Sequence, residues 1–374
     1  MIVFRIGIIA FCLIFLQRYL YKKLWDKALS VSVSFSKKGM KEETTGEVLE
    51  VIENRKRLPL PMLKVKFQTS RNLEFSDELG SKTTDQYYRN DVFQIGSMER
   101  ITRKLSFVAK KRGYYCINGI DMVASDLFFS AQMVKSSQEE CYLYVYPKAF
   151  DSREFRLSLQ QLNGEVLAKR HMLEDPFEYR GIREYQPYDD IRSVNWKATA
   201  KTGALKVNQK NYTALQTIRI YINMEDEGIL KKEDAVEAGL QMAMGMSEYF
   251  LSQGIRVALY ANGTDIITGK PLQISAGAGA GQGEQIGKGL ARLSTEYLPF
   301  ADLYEKNILE EAKGCMTIFI APNGYEDYIK LLKACTKAGI SYLWYCPVEE
   351  KEEPEISDLL QDKIKFIHIR DKKN

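Results

Sequence analysis

Histidine is scarce in this chain, with only His171 and His368 among 374 residues. No H-E-x-x-H pair and no cysteine cluster at metal-ligand spacing accompanies them, which argues against zinc proteases and zinc fingers. No G-x-S-x-G elbow is present, and the shortage of histidine argues against a serine or cysteine triad. We therefore predict no enzyme with a familiar catalytic constellation.

Cysteine is also sparse and lacks any C-x-x-C pair. One of the six cysteines lies in the N-terminal apolar run, which leaves an odd number elsewhere. An odd set is poorly suited to a disulfide framework, so a reducing compartment is favoured. The six residues are Cys12, Cys116, Cys141, Cys315, Cys335 and Cys346.

An excess of charge of one sign is absent as well. Basic residues number 53 and acidic residues 49, for a net charge of +4. Such a small, dispersed excess argues against nucleic-acid binding. A length of 374 residues with 45% hydrophobic and 27% charged residues predicts two folded units rather than disorder.

The N-terminal segment 1–25 is predicted to be a transmembrane anchor. Its uninterrupted apolar run, Ile6 to Leu16, is short, but Arg5 and Arg18 near the two ends can reach the headgroups. A cleavable signal peptide is an alternative, although no small-x-small cleavage site follows the run. A helix that never crosses the bilayer is another. Basic residues after the run outnumber those before it, which predicts a single-pass cell-membrane protein with cytoplasmic soluble domains.

Residues 30–150 show short alternating segments, such as Val31–Phe35 and Leu63–Phe67, separated by turns. This period is typical of half-buried strands and predicts an antiparallel, Ig-like β-sandwich. Pro59 and Pro61 predict an edge strand or a loop at Leu58–Pro61, because proline removes a ladder donor.

Residues 213–374 alternate apolar strands with helical patterns, which predicts βα units on a mostly parallel, Rossmann-like sheet. The predicted strands are 217–223, 257–261, 317–321, 342–346 and 364–369. The glycine-rich run Ser275–Gly289 lacks the spacing and the hydroxyl of a P-loop, and it predicts a loop before a helix.

Between these regions lies a linking segment, 151–212, with a dense polar and aromatic run from Tyr179 to Gly203. This run resembles the signature of the bacterial domain-of-unknown-function fifty-eight family, whose members are membrane proteins associated with MoxR-type AAA+ ATPases. The residues that fall on the pattern include Gly181, Arg183, Tyr185, Asp189, Asp190, Arg192, Asn195, Trp196, Lys197, Lys201 and Gly203.

Two interpretations of this run stay open at the level of sequence. Its charges could form a satisfied ion-pair network with Tyr185 and Trp196 packed beneath it. Alternatively, the run docks a partner, because arginine, tyrosine and tryptophan are typical of binding hot spots.

The resemblance also implies a von Willebrand factor A-like domain, which in that class holds magnesium on an aspartate-x-serine-x-serine motif. The matching positions here are Asn223, Glu225 and Glu227, so the leading aspartate and both serines are absent. We therefore expect no metal and no other cofactor, with magnesium as the ion to test.

The expected protein is a membrane-anchored, non-catalytic scaffold, and the resemblance implies a MoxR-type AAA+ ATPase as its partner in complex assembly or chaperone-like maturation. A cell-envelope hydrolase or transferase and a divalent-ion-dependent adhesion module are the alternatives. No small-molecule substrate is identified, and the bilayer is the other expected partner.

Overall fold

The computed structural model describes residues 2–77, 81–83, 86–172, 179–187, 189–210, 217–228, 232–311, 315–349 and 358–369. It divides into two compact units. The first contains residues 1–148 with 287–292, and the second contains 149–286 with 293–374. The helix at 280–292 therefore begins in the second unit, and its last six residues belong to the first.

The first unit begins with helix α1 (Ile2–Leu24). Within it, Phe4–Leu24 is long and apolar enough to cross a membrane, a property that a signal sequence shares. Most of its large apolar side chains are exposed, as Phe4 is at 75%. Toward its C-terminal end the helix reaches the sandwich: Tyr21, and Trp25 just after the helix, are buried in the core of the unit.

Ten strands follow α1 and form two sheets, as predicted for a β-sandwich. The sheet orders are β1-β3-β8-β5 and β2-β10-β9-β4-β7-β6. Among the described residues, the strands pair antiparallel, and β2 with β10 is the parallel exception. The strands are β1 (Leu29–Phe35), β2 (Gly39–Lys41), β3 (Thr45–Asn54), β4 (Leu60–Ser70), β5 (Leu73–Phe75), β6 (Ser81–Thr83), β7 (Gln86–Ile95), β8 (Arg100–Ala109), β9 (Gly113–Ser125) and β10 (Gln132–Tyr146).

The prediction of an edge or a loop at Leu58–Pro61 is correct for its first half and wrong for its second. Leu58 and Pro59 lie in the connection before β4, whereas β4 starts at Leu60 and lies between β7 and β9. The ladder tolerates Pro61 because its register shifts between Leu60 and Leu63, at the first residues of the strand.

The second unit contains a seven-stranded sheet. Five parallel strands lie at the predicted positions in the order β14-β13-β17-β18-β19, and β15 and β16 pair antiparallel with β14. The elements are α2 (Arg153–Met172), β11 (Tyr179–Glu184), α3 (Trp196–Thr202), β12 (Lys206–Lys210), β13 (Thr217–Ile222), α4 (Glu233–Ser252), β14 (Arg256–Asp265), β15 (Pro271–Gly277), α5 (Ala280–Arg292), β16 (Leu293–Tyr297), α6 (Phe300–Glu311), β17 (Met316–Ile320), α7 (Glu326–Lys337), β18 (Tyr342–Val348) and β19 (Ile364–His368).

Two parts of this unit differ from their predicted roles. The predicted linking segment 151–212 belongs to the unit, because α2 buries Phe155, Leu159 and Leu162 and the hydroxyls of Ser158 and Tyr345 lie 2.8 Å apart. The predicted glycine-rich loop is mostly α5, which begins at Ala280. Ile286 and Leu290, both fully buried, supply the apolar face that outweighs the low helix propensity of glycine.

Candidate partner-docking site

The signature residues form a small substructure, here called the signature module, within residues 179–210. Strands β11 and β12 pair antiparallel, with Glu184 opposite Lys206. Helix α3 lies between them in the chain. Val194 bridges to Val207, and both side chains are buried. This bridge connects the residue before Asn195 to β12.

Capping residues at both ends of α3 explain why a helix of seven residues forms here. The Asn195 side chain accepts a hydrogen bond from the Ala198 N–H at 2.9 Å, which satisfies one of the free donors of the first turn. Its amide donates to Asn208 Oδ1 on β12 at 2.7 Å. Gly203 ends the helix at a φ of 73°, a left-handed conformation that glycine adopts without steric cost.

Asp189 and Asp190 also have structural roles in the module. The Arg183 guanidinium donates to both Asp189 oxygens, at 2.6 and 2.5 Å, and Asp189 also accepts from the Gln186 N–H at 2.8 Å. The hydrogen bond from Arg183 lowers the pKa of Asp189 below its ordinary value. Asp190 accepts from the Arg192 N–H at 2.9 Å and so caps the 3-10 turn Ile191–Ser193.

The ion-pair interpretation therefore holds for only part of the signature. Arg183 pairs with Asp189, and Glu184 pairs with Lys206 at 3.0 Å. Tyr185 is half-buried, but Trp196 is 66% exposed, contrary to that interpretation. No residue of α3 is buried, so the helix as a whole lies on the surface of the described part of the module.

Three basic residues of the signature share the exposure of Trp196. Arg192 precedes the indole by four positions, whereas Lys197 and Lys201 follow it on α3, and all three are exposed. Ile182, Ile191 and Leu205 are exposed apolar side chains of the same module. The module thus presents an aromatic, aliphatic and cationic surface on a hydrogen-bonded frame.

The predicted degenerate metal site lies at the carboxyl end of β13. Asn223 donates from its amide to Glu225 Oε2 at 3.0 Å, and Asn223 Oδ1 accepts from the Glu225 N–H at 3.0 Å. Asn262 on β14 donates to Asn223 Oδ1 at 3.1 Å. Amide groups therefore satisfy these oxygens, which in a metal site would bind a cation.

Glu225 and Glu227 are held by the elements around them. The Phe300 N–H donates to Glu225 Oε1 at 2.6 Å at the start of α6, and the Glu227 N–H donates to the Tyr325 hydroxyl at 2.7 Å. Among the described residues, no group of three His, Cys, Asp or Glu side chains could hold a metal ion. The donor set does not suit magnesium, which prefers carboxylate oxygens in an octahedral arrangement.

Magnesium is expected to leave this edge of the sheet unchanged. Binding would have to break hydrogen bonds to Asn223 and Phe300, and the three ligand oxygens of the usual motif are replaced. Calorimetric titration of the full chain with millimolar MgCl₂, against CaCl₂ as control, should show only heats of dilution. A saturable heat that disappears in the Glu225→Gln variant would contradict this expectation.

Sequence reasoning missed a polar groove on the outer face of β4, β7, β9 and β10. The concavity measures about 1120 Å³. Ser136 donates to Asp121 at 2.6 Å on its floor. Its polar lining alternates with buried residues along β4 and β7 and so looks like any solvated sheet face in the sequence. Lining residues include Lys66, Gln68, Asn90, Asn118, Asp121 and Ser136.

Comparison with known proteins shows no family for the chain. No protein-family profile matches the sequence, and no curated protein matches it. The CARDB domain of a Pyrococcus furiosus protein, solved in complex with di-metal ions, covers 32% of this chain and 94% of its own, at 12% identity and a TM-score of 0.22. A cohesin module of a Clostridium perfringens family 33 glycoside hydrolase covers 32% and 98%, at 9% identity and a TM-score of 0.25.

A non-cellulosomal cohesin from Archaeoglobus fulgidus is similar at the same level, with 12% identity over 31% of this chain and 91% of its own, and a TM-score of 0.23. Likenesses of this size identify neither a ligand nor an activity for either unit. The functional conclusion therefore depends on the residues of the chain itself.

Proposed function

We propose that the chain is a membrane-anchored, non-catalytic interaction protein that docks a partner through its signature module. The observation that carries the proposal is the 66% exposure of Trp196 at the start of α3. Tryptophan is the residue most often found to dominate a protein interface when a partner covers it. The Asn195 cap and the Arg183–Asp189 pair hold the backbone beside it, so little order has to be gained on binding.

The surroundings of Trp196 define the chemistry of the partner. Exposed Arg192, Lys197 and Lys201 favour an acidic surface, which speeds encounter through electrostatic attraction. The indole requires an apolar recess at the centre of that surface. The resemblance of the signature suggests a MoxR-type AAA+ ATPase as this partner, with complex assembly or chaperone-like maturation as the process.

Anchoring by α1 is the second part of the proposal. The exposed apolar part of α1 is suited to crossing a bilayer, and its C-terminal end is buried in the sandwich. The Tyr21 hydroxyl donates to the Pro59 carbonyl at 2.9 Å, and Trp25 is buried. Cleavage of α1 as a signal sequence would remove Tyr21 from the core, so retention of the helix is favoured.

Replacing Trp196 should weaken the complex with the ATPase without unfolding the chain. We expect Trp196→Ala to cost about 2 kcal/mol of binding free energy, roughly a 30-fold loss of affinity, because the indole fills the partner's recess. Ile266→Ala is the matched control, because Ile266 is 51% exposed elsewhere in the second unit. To measure the affinity, the full chain in detergent is immobilised on a surface, and binding of the purified ATPase is recorded as its concentration is raised.

The binding measurement has a clear negative outcome. Equal affinities of the Trp196→Ala variant, the Ile266→Ala control and the parent would remove the module from the interface. Unchanged hydrogen exchange at Val194 and Val207 in the variant establishes that the frame is intact.

The side of the membrane can be tested with an engineered thiol. Thr268 is exposed in the turn between β14 and β15, whereas the natural cysteines outside α1 are buried or half-buried. Arg18, Lys22, Lys23 and Lys27 follow the apolar run, so we expect a cytoplasmic location. A membrane-impermeant maleimide should label Thr268→Cys only after lysis. Labelling of intact cells at the same extent would place the soluble units outside and exclude a cytoplasmic ATPase.

A further inference from the structure

One end of the sandwich lies next to the exit of α1. Strand β1 starts there at Leu29, opposite Asn54 at the end of β3. The Asn54 amide donates to the Gly96 carbonyl at 2.6 Å, which brings the 96–99 turn to the same end. On β4, Met62 is opposite Ser125, so the 126–131 loop also leaves from this end.

A direct hydrogen bond shows which residue of α1 lies beside this end of the sandwich. The Gln17 amide donates to Asp126 Oδ2 at 2.8 Å. Gln17 is the residue that follows the apolar run ending at Leu16. If α1 spans a bilayer, as proposed above, the 126–131 loop therefore lies where the hydrocarbon gives way to headgroups.

Asp126 holds this loop in one shape. Its side chain is buried and accepts from the Ser130 N–H at 2.6 Å, the Ser130 hydroxyl at 2.5 Å and the Ala131 N–H at 3.1 Å. Burial would raise the pKa of Asp126, but the hydrogen bonds from Ser130 and Gln17 outweigh it and lower the pKa below the ordinary value. The loop is a hydrogen-bonded platform rather than a loose connection.

This platform displays apolar side chains. Leu127, Phe128 and Phe129 are consecutive and are 49%, 57% and 60% exposed. Met98, in the neighbouring turn, is 68% exposed. Strand β4 alone separates β7 from β9, so the two loops leave the sheet about 10 Å apart. A run of exposed aromatic residues on a fixed loop marks an interaction surface rather than a scattered apolar residue.

Backbone conformation provides an independent observation. Met98 and Phe129 have φ values of 54° and 55°, a left-handed region that bulky side chains rarely adopt. Glycine or asparagine would adopt it at lower cost. Large apolar side chains at both positions, at the same end of the sandwich, indicate that outward apolar groups are needed there despite the strain.

We propose that Met98 and Leu127–Phe129 form a second membrane contact, inserting into the interface of the leaflet from which α1 emerges. The occupant is the phospholipid bilayer, because Asp126, at the start of the loop that carries Leu127–Phe129, is hydrogen-bonded to Gln17 at the end of the apolar run of α1. Aromatic side chains are favoured at this depth, and exposed Arg18, Lys22 and Lys23 on the adjoining helix turn favour anionic headgroups. Two contacts on one body fix the orientation of the sandwich relative to the membrane.

The test uses the full chain reconstituted in vesicles of phosphatidylcholine and phosphatidylglycerol, some brominated on the upper part of the acyl chain. The Phe128→Trp variant places a fluorophore in the proposed contact. Tyr88→Trp is the matched control, because Tyr88 is a 42% exposed aromatic residue of the same sandwich. It pairs with Gln68 on β4, about 20 Å along the strand from the level of Ser125.

Emission of the parent, which contains Trp25, Trp196 and Trp344, is subtracted from each variant. We expect the added emission of Phe128→Trp to shift to shorter wavelength and to lose most of its intensity in brominated vesicles. The added emission of Tyr88→Trp should be the same in both vesicle types. This pair of results supports the second membrane contact.

Flotation of the same vesicles after alkaline extraction separates the two proposals. If the chain floats but Phe128→Trp is no more quenched than Tyr88→Trp, the loop contact is overturned and the α1 anchor stands. If the chain does not float, the anchor fails and the loop contact fails with it.

Discussion

Replacing Arg89 by methionine is expected to destabilise the sandwich by about 3–5 kcal/mol, which is the usual cost of removing one partner of a buried ion pair. The Arg89 side chain is fully buried and donates to Asp91 at 2.5 Å, to the Asp77 carbonyl at 2.6 Å and to the Tyr87 hydroxyl at 3.0 Å. Burial alone would lower the pKa of Arg89, but hydrogen bonds to Asp91 and Tyr87 raise it above its ordinary value. The variant leaves Asp91 buried with one cationic partner fewer.

Arg103→Met is the matched control for this prediction. Arg103 donates to the same acids, Asp91 and Asp77, each at 2.7 Å, but its side chain is 31% exposed. Water replaces part of its interactions, so its loss should cost less. Peptide-resolved hydrogen exchange of β7 and β8, in the full chain in detergent with increasing urea, measures the sandwich separately. Equal costs for the two variants would show that burial of Arg89 is not the cause.

The second large effect is a loss of sandwich stability as pH rises, caused by Glu50. This residue is 1% exposed on the inner face of β3, between Val48 and Ile52. Burial raises its pKa to about 8, and the nearby Asp91 carboxylate adds to the shift while Arg103 and Arg89 oppose it. Neither Glu50 oxygen accepts a hydrogen bond from a described residue. A protonated Glu50 is therefore the stable form at neutral pH.

The direction of the pH effect follows from this raised pKa. The folded state keeps the Glu50 proton that the unfolded state releases near pH 4.5, so the contribution is complete below that pH. It decreases as pH rises, by about 1.4 kcal/mol for each unit, and is lost once pH exceeds about 8. Increasing alkalinity should therefore destabilise the first unit.

Glu50→Gln should remove this dependence, because an amide has the shape of the protonated acid but does not titrate. The variant and the parent should have similar stability at pH 5, and the variant should be the more stable of the two at pH 9. Burial lowers the pKa of Lys56 to about 8, so Lys56 also makes stability depend on pH. This contribution is the same in both proteins and cancels when the stability of the parent is subtracted from that of the variant. A difference that is constant from pH 5 to pH 9 in the same exchange measurement would contradict the prediction.

These two residues also explain what the sequence could not reveal about the sandwich. Strand β7 was not predicted, although its side chains alternate between buried and exposed over its whole length. Its buried positions include Arg89 and Asp91, which a polarity pattern assigns to solvent. The partners that make those positions favourable come together only in the fold: Arg89 donates to Asp91 and Asp77, and β8 brings Arg103 to Asp91.

The glycine-rich segment shows the same limit in the second unit. Five glycines between Gly277 and Gly287 indicate a loop on propensity alone. Ile286 and Leu290 are fully buried in the folded chain, and that burial decides for a helix. The five parallel strands, in contrast, are rich in apolar residues and were predicted close to their observed bounds.

For the signature module, the chain by itself determined the local structure. Asn195 and Gly203 define a helix start and end, and Asp189 lies within reach of Arg183 in the sequence. The exposure of Trp196 was decided by tertiary structure, since an aromatic residue in the sequence is equally compatible with burial, and only the folded chain shows that no residue of α3 is buried.

The apolar run of α1 and the basic residues after it were likewise local features that the sequence determined. The meeting of Gln17 with Asp126 was decided by folding alone, because the two residues are 109 positions apart and no local pattern links them. Helix caps and short-range ion pairs depend on residues that are close in the sequence. The exposure of a side chain and the pairing of distant residues depend on how the whole chain packs.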